Sequence, residues 1–562
     1  MRLLGISAFH RASAAALVVD GKPIACIEED RFTKRLQDEA FPTRAARACL
    51  AQGGLQMRDL DGIVFYEKPL RKFERVMATQ LSAFPKSARS FSRNMFLWLG
   101  DRLWMKNRIA DELEFPDTDR IFFTEHQMAH AAAAYYASPF EEAAVLVLDD
   151  SGEWATSSLS AGKGTQLSTL AEIHFPHSLG LFVSAIAQYL GLEPGAQDHF
   201  LEGLASYGTP RYLEIFEGLA PCGPEGSFSI DMEAFRYDFD HETLFTEKLE
   251  ALLGPARLGT SPLRYETADC RDADVAASLQ ALIELRGLEL AGELHKRAPS
   301  ENLCFGGRLA TNRGLCSRLL KDGPFQSIYV PPECDDAGAA MGAALYVEYA
   351  NSTNSERFPQ STPWFGMPIE AHPEEGAQEL SDPHQTLLSK LLDGERVAWV
   401  RAEFELGLRS QGHRSLLCDP RPPEARTSLQ ETVQVAEPFL PIRLLVPEEH
   451  AADYFELPTG AQAALEMAQL CVPAKDKLKS AAPSAVAPNG SAWPQVVRAE
   501  TDPAMHRLLL EFGEATGLPL LLHETFALRG APIVRVEADA YEAFNRTTLT
   551  SLIVENRLYT RR

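Results

Sequence analysis

The chain is poor in cations for its size, with 54 Lys and Arg against 78 Asp and Glu and a net charge of −24. Long-range electrostatics of that sign oppose binding of DNA, RNA or an anionic membrane, so a phosphate-bearing ligand must be gripped by local donors. The nine cysteines (Cys26, Cys49, Cys222, Cys270, Cys304, Cys316, Cys334, Cys418 and Cys471) contain no CxxC pair, and some sit in apolar runs such as "ENLCFGG". That scatter argues against a zinc ribbon or a disulfide framework and reads as reduced thiols in a cytoplasmic protein. No apolar run approaches the roughly 20 residues that span a bilayer. The start, "MRLLGISAFHRASAAALVVDG", lacks a basic segment followed by a long apolar one; it reads as two short strands around a turn, not as a secretory signal. No repeat of about 20 to 50 residues recurs, which argues against a solenoid.

What is present is length and alternation. At 562 residues the chain has room for roughly three or four packed units of about 150 residues each. Residues 1–350 alternate apolar strands ("RLLGISAF", "AAALVVDG", "KPIACIEE", "DGIVFY", "AAVLVLDD") with long helical patterns such as "DADVAASLQALIELRGLELAGELHKR", the signature of an α/β lobe with mixed sheets. Residues 351–375 are polar and rich in Pro and Gly, and read as a linker. Residues 376–562 resume with a helix, "DPHQTLLSKLLDGE", and a strand, "RVAWVRAEF"; within them "AAPSAVAPNGSAWP" reads as a turn-rich surface loop.

Three segments could carry chemistry. In "TEHQMAHAAAAYY" His126 and His130 lie one helical turn apart and share a face, which is metal-ligand spacing; a buried, hydrogen-bonded His pair on an alanine-rich helix would read the same way. In "AAVLVLDDSGEW" a strand ends on Asp149 and Asp150, and in "PPECDDAGAAMGAAL" Asp335 and Asp336 precede a helix. Either acidic pair alone also fits an N-cap or a solvated turn. Two imidazoles with two carboxylates would suit iron, manganese or zinc. In "CFGGRLATNRG" Gly306 and Gly307 follow a strand and would let a phosphate approach the backbone closely, a bulkier side chain at Gly307 filling the space; Gly203 in "FLEGLASYG" offers a second flexible turn.

Over nearly its whole length the chain resembles the O-carbamoyltransferase family, which includes the nodulation carbamoyltransferases and the enzymes that carbamoylate cephamycin, novobiocin and aminoglycoside antibiotics. The likeness is carried by "FHRASAAALVVDG", "EEDRFTKRLQ", "EHQMAH", "LVLDDSGE", "GLASYG", "NLCFGGRLATN", "DDAGAAMGAAL", "GLRSQGHRSLLCDPR", "YFEL" and "ETFALRGAPIV". It implies an N-terminal actin-like ATPase lobe, duplicated and α/β, which binds a metal (iron, or manganese or zinc) and ATP and transfers carbamoyl to an acceptor. It implies also a C-terminal YrdC-like α/β lobe that makes carbamoyl-adenylate from carbamoyl phosphate and ATP. Position by position, the resemblance places metal ligands at His126, His130, Asp149 and Asp336, and the nucleotide loop at Gly307 through Asn312. His10, in the turn after the first strand, is the candidate base for the acceptor proton, with ordering of that turn as its other reading. The acceptor would be a small hydroxylated or amino metabolite of antibiotic or other secondary metabolism, and a homodimer is compatible with the family.

The C-terminal lobe departs from the family in one chemical direction. Glu403 in "AEFELGLRSQG" stands where the family has Arg; Gln434, Ala436 and Leu440 in "QVAEPFLPI" replace three cations, and Trp493 in "NGSAW" a fourth. Arg409, Arg414, Arg421 and Arg529 remain, and the first, second and last are the candidate catalytic cations. Each lost charge-assisted contact forfeits about 1.5 to 3 kcal/mol, so this lobe is expected to be a poor adenylate synthase unless Arg401, Lys475, Lys477 or Lys479 swings in. In the first lobe the family's Lys is Phe200 and the Asp after His10 is Arg11, which suggests a reshaped acceptor pocket or a relocated charge. Two rivals follow: a divergent member using the metal and nucleotide lobe for another acyl-transfer or iron-dependent reaction, and a non-catalytic partner subunit.

Overall fold

A computed structural model describes residues 1–266, 269–351, 356–370, 372–433 and 437–561. The first lobe holds two five-stranded sheets. The first contains β1 (Arg2–Ser7), β2 (Ala14–Val19), β3 (Lys22–Glu28), β4 (Gly62–Phe65) and β5 (Ile121–Phe123), in the order β3-β2-β1-β4-β5. The second contains β6 (Glu142–Leu148), β7 (Ala155–Lys163), β8 (Gln166–His174), β9 (Asn302–Gly306) and β10 (Ser327–Tyr329), in the order β8-β7-β6-β9-β10. Both repeat one scheme. The opening strand of each sheet pairs antiparallel with the second strand, which pairs antiparallel with the third, and parallel with the fourth, which pairs parallel with the fifth. This is the duplicated actin-like arrangement that the resemblance implies. The central strands β1 and β6 are buried almost throughout, which is why they read as continuous apolar runs.

Between the sheets run two helices, His126–Tyr136 and Asp336–Asn351, rich in Ala and Gly and buried along most of their length. Small side chains let them approach backbone to backbone: a Cβ on Gly342 would lie 1.9 Å from the Ala129 carbonyl oxygen. This packing brings the histidines of one helix to the first turn of the other. Residues that follow the carboxyl ends of β1, β6 and β9 converge on the same place, as expected for ligand sites of α/β sheets.

The second lobe is a mixed nine-stranded sheet in the order β11-β19-β18-β12-β13-β17-β14-β16-β15. Its strands are β11 (Gln378–Glu379), β12 (Val397–Val400), β13 (Arg414–Cys418), β14 (Arg443–Pro447), β15 (Val472–Pro473), β16 (Ser491–Val497), β17 (Leu521–Thr525), β18 (Ser551–Val554) and β19 (Arg557–Thr560). The expected loop "AAPSAVAPNGSAWP" is in part a strand, since Ser491–Pro494 open β16, the first two residues pairing antiparallel with β15 and the last two parallel with β14. Pro494 disguises this strand in sequence, but the burial of Ala492, Trp493, Val496 and Val497 decides it. The connecting segment is strapped to the first lobe: Gln360 N–H donates to Ala137 O at 2.7 Å, and the Arg357 guanidinium donates to the carbonyls of Tyr135 and Phe140. Arg31 and Glu28 of the first lobe grip Gly407 of the second, the guanidinium donating to its carbonyl and the carboxylate accepting its N–H, both at 2.6 Å. No disulfide joins any of the nine cysteines, and no described helix is long and apolar enough to cross a membrane.

Candidate metal centre and interlobe cavity

His126 and His130 open the first helix, Asp149 follows β6, and Asp336 begins the second helix; each is at most 3% exposed. Their ligand atoms lie within 4.8 Å of one another. The two Nε2 atoms are 3.2 Å apart; Asp149 Oδ2 is 2.6 Å from the first and 3.7 Å from the second, and Asp336 Oδ1 is 3.7 and 3.5 Å from them. Ligands about 2.1 Å from one central ion would stand roughly 3.0–3.4 Å apart, so these distances bracket a metal's coordination polyhedron. Asp336 Oδ1 is buried without a hydrogen-bond partner among the described residues, as a ligand oxygen awaiting a cation would be. Burial works to lower the His130 pKa, but the Asp149 and Asp336 carboxylates overcome it and hold it up at about 9, a measure of how strongly the pocket attracts positive charge. The residues present therefore fit a borderline divalent ion.

Neighbouring groups orient this set. His10 Nδ1 lies 2.9 Å from Asp336 Oδ2, and the Arg308 N–H donates to Asp149 Oδ1 at 3.1 Å. Glu153 accepts the N–H of His126. Asp150 does not join the four; Arg11 and Arg308 each pair with it at 2.5 Å, and Arg308 also pairs with Asp198. The relocated charge at Arg11 thus neutralises the carboxylate next to the centre. Phe200 packs edge-on against Phe439 of the second lobe.

A cavity of about 400 Å³ opens beside the centre and between the lobes. Arg11, Asp198, Arg308, Asn312 and Asp335 line it from the first lobe, and Arg409, Arg443, Glu524 and Arg529 from the second. Asn312 caps the Arg313–Asp322 helix through the Leu315 N–H and exchanges hydrogen bonds with Gln280. Gly306 and Gly307 are not on the cavity wall. A Cβ on Gly307, at φ +80°, would meet the Leu148 carbonyl oxygen at 2.5 Å, so glycine is required there by the strand end itself. A bulkier residue would therefore disturb β6 before it met a phosphate. Gly203 faces Phe439 and Leu440 across the lobe seam.

Among the candidate cations of the second lobe the structure separates two from one. Arg409 and Arg529 line the cavity, Arg529 largely exposed and paired with Glu437 at 3.0 Å. Arg414 is fully buried away from it and donates to the carbonyls of Arg401, Ala402, His413 and Val534, so its charge is spent on the fold and is corrected to a structural role. Arg421 pairs with Asp419. The expected rescuers are occupied elsewhere: Arg401 with Asp502, Lys475 with the Ala452 carbonyl, Lys477 with Asp453 and Lys479 with Asp476. Gln434 and Ala436 lie outside the described residues. Sequence reasoning passed over Arg308, Arg313 and Arg443; the position of the first two inside "GGRLATNRG" was the available signal.

A family model described as the carbamoyltransferase N-terminus matches residues 2–345, and one described as the carbamoyltransferase C-terminus matches residues 388–561. The chain belongs to the carbamoyltransferase family. An uncharacterized protein of Synechocystis sp. is 36% identical over 99% of the chain and 96% of its own length. The nodulation protein NolNO of Sinorhizobium fredii is 29% identical over 99% of the chain and 79% of its own, and NolO of Bradyrhizobium diazoefficiens 30% over 76% and 77%. Among solved structures, component A of the Acidaminococcus fermentans (R)-2-hydroxyglutaryl-CoA dehydratase aligns with a TM-score of 0.33 at 14% identity, covering 62% of this chain and all of that one. HypF of T. kodakarensis aligns at 0.31 and 12%, covering 62% and 47%. Scores of that size carry no functional assignment; the family membership does, and it makes this carbamoyltransferase an enzyme of carbamoyl transfer.

Proposed function

We propose that in the second lobe of this carbamoyltransferase water cleaves carbamoyl phosphate to carbamate and phosphate, the carbamate oxygen bonds to the α-phosphorus of ATP as pyrophosphate leaves, and the carbamoyl group of that adenylate is transferred to a hydroxyl or amino group of a small metabolite in the first. The observation that carries the reading is the shared cavity: Arg409, Arg443 and Arg529 of the second lobe line one space with Arg11, Arg308 and Asp335 of the first, which adjoin the His/Asp centre. A reactive mixed anhydride formed in the second lobe need not cross bulk water to reach the first.

His126, His130, Asp149 and Asp336 would hold a divalent ion, iron by family resemblance, which when bound supplies Lewis-acid polarisation. In the transfer step the acceptor oxygen or nitrogen bonds to the carbamoyl carbon, the bond from that carbon to the AMP oxygen breaks, and AMP leaves. His10 takes the acceptor's proton at Nε2. Its Nδ1 is engaged with Asp336, which sets the ring's orientation and leaves Nε2, without a hydrogen-bond partner among the described residues, as the acceptor. Arg409 and Arg529 would face the phosphates. The nucleotide is expected against Asn312 and the Arg308 turn.

The deciding assay follows pyrophosphate and AMP release by the metal-loaded protein. Release that requires both carbamoyl phosphate and ATP supports the reading. Absence of release, with metal and nucleotide still bound, would favour a different acyl donor.

A further inference from the structure

Most of the positions that lack the family's cations are in the second lobe, yet the cavity wall contributed by the first lobe carries Arg313, the first residue of the Arg313–Asp322 helix. Arg313 is buried, and its Nε donates to the Ala468 carbonyl at 2.7 Å, a bond that crosses the lobe seam. Its Cζ lies 4.7 Å from the Trp493 ring centroid, and the Cζ of Arg409 lies 5.6 Å from the same centroid. Trp493 is 3% exposed, so the indole is a platform on which guanidiniums from both lobes rest rather than a free surface.

Not every guanidinium donor here is filled. Arg409 makes no hydrogen bond or ion pair among the described residues. Arg443 is 1% exposed; it donates to the Ser410 carbonyl and, at 3.3 and 3.5 Å, to Thr525 Oγ1 and Glu524 Oε1, but its Nε is buried with no partner. Of the eight carboxylates that line the cavity, Glu524 and Glu202 are the ones that act on Arg409, and each also accepts a backbone N–H, from Thr525 and Gly314. Burial, together with Arg313 and Arg443, pushes the Arg409 pKa down to about 9 against the pull of Glu524 and Glu202. Three enclosed guanidiniums with unfilled donors are the chemistry of an anion site, and planar forks suit phosphate oxygens.

We propose that Arg313, Arg409 and Arg443 form a cross-lobe site for the phosphate group of a substrate, in which the first lobe supplies a cation that the second lobe has lost and Trp493 spaces the two stacked arginines. The proposal rests on the reading that the second lobe receives a phosphate-bearing donor, but not on what it does with it. Carbamoyl phosphate and the ATP phosphates share the required chemistry.

Calorimetric titration of the full chain with carbamoyl phosphate, and separately with a non-hydrolysable ATP analogue, separates them. Arg313→Gln is expected to weaken one of the two by about ten-fold or more. Arg409→Gln, which orphans no hydrogen-bond partner among the described residues and so tests the site even where Arg313→Gln fails to fold, is expected to weaken the same ligand. Arg313→Lys, keeping the charge without the planar fork, should fall between parent and Arg313→Gln, and Trp493→Arg should restore affinity in the Arg313→Gln background. Loss confined to carbamoyl phosphate assigns the site to the donor; loss confined to the nucleotide assigns it to ATP. Folded Arg313→Gln and Arg409→Gln proteins that bind both ligands like the parent would overturn it. A parent that binds carbamoyl phosphate through these arginines yet releases no pyrophosphate would sink the adenylation reading and leave the site standing.

Discussion

His126 and His130 bring their Nε2 atoms to 3.2 Å, with the buried Asp336 Oδ1 alongside and without a hydrogen-bond partner among the described residues. A shared cation satisfies all four groups at once. The His126→Ala, His130→Ala double variant should therefore retain less than about a tenth of the parent's bound metal by elemental analysis while keeping its far-ultraviolet circular dichroism; full metal content would refute the ligand set. Glu333, on the cavity wall, has its pKa pushed up to about 8 by burial, aided by Asp335 and Glu28. A carboxyl raised in the folded state contributes stability that is complete below its unfolded pKa, near 4.5, and is lost as pH rises through about 8. Glu333→Gln should flatten the fall in thermal midpoint across that window and leave the Gln protein the more stable above pH 8; parallel curves for the two proteins would show that Glu333 ionises normally. Arg414 carries the opposite lesson: its type suggested a substrate cation, but four carbonyls claim it. A sequence shows that an arginine is present and not which oxygens it faces.

At the scale of elements, the metal centre depends on how closely two helices pack. The alanines after His130 and Gly342 of "DDAGAAMG" are what let the His126–Tyr136 and Asp336–Asn351 helices touch through their backbones. Gly342→Val would force them apart, since even its Cβ would fall 1.9 Å from Ala129 O. The expected cost is about 1–3 kcal/mol or more of stability, with metal affinity lost in the variant that still folds. Unchanged metal binding would mean that the ligands are not carried on this helix pair. The apolar strands β1, β2 and β6 and the long Arg271–Arg297 helix were legible because their periodicity and length are local properties. β16 was not, because Pro494 and the preceding "APNG" are turn signals that burial beside β14 overrides.

At the scale of the molecule, the two lobes act through one seam. Arg31 is buried with Glu28 and Asp30 and reaches across to the Gly407 carbonyl. Arg31→Ala would leave two buried carboxylates uncompensated, which typically costs about 3–5 kcal/mol. Chemical denaturation should show a lower midpoint, and the lobes, freed from their clamp, should melt in two steps; a single unshifted transition would show that the clamp does not couple them.

The sequence by itself determined the α/β character of both lobes, the family, and the four residues whose ligand atoms meet, because strand runs and motif residues can be read along the chain. Tertiary structure decided which charges reach the cavity. Arg313 is 180 positions from Trp493, and only the closing of one lobe on the other brings them within 4.7 Å. A count of missing cations made along the second lobe alone could not include one supplied by the first.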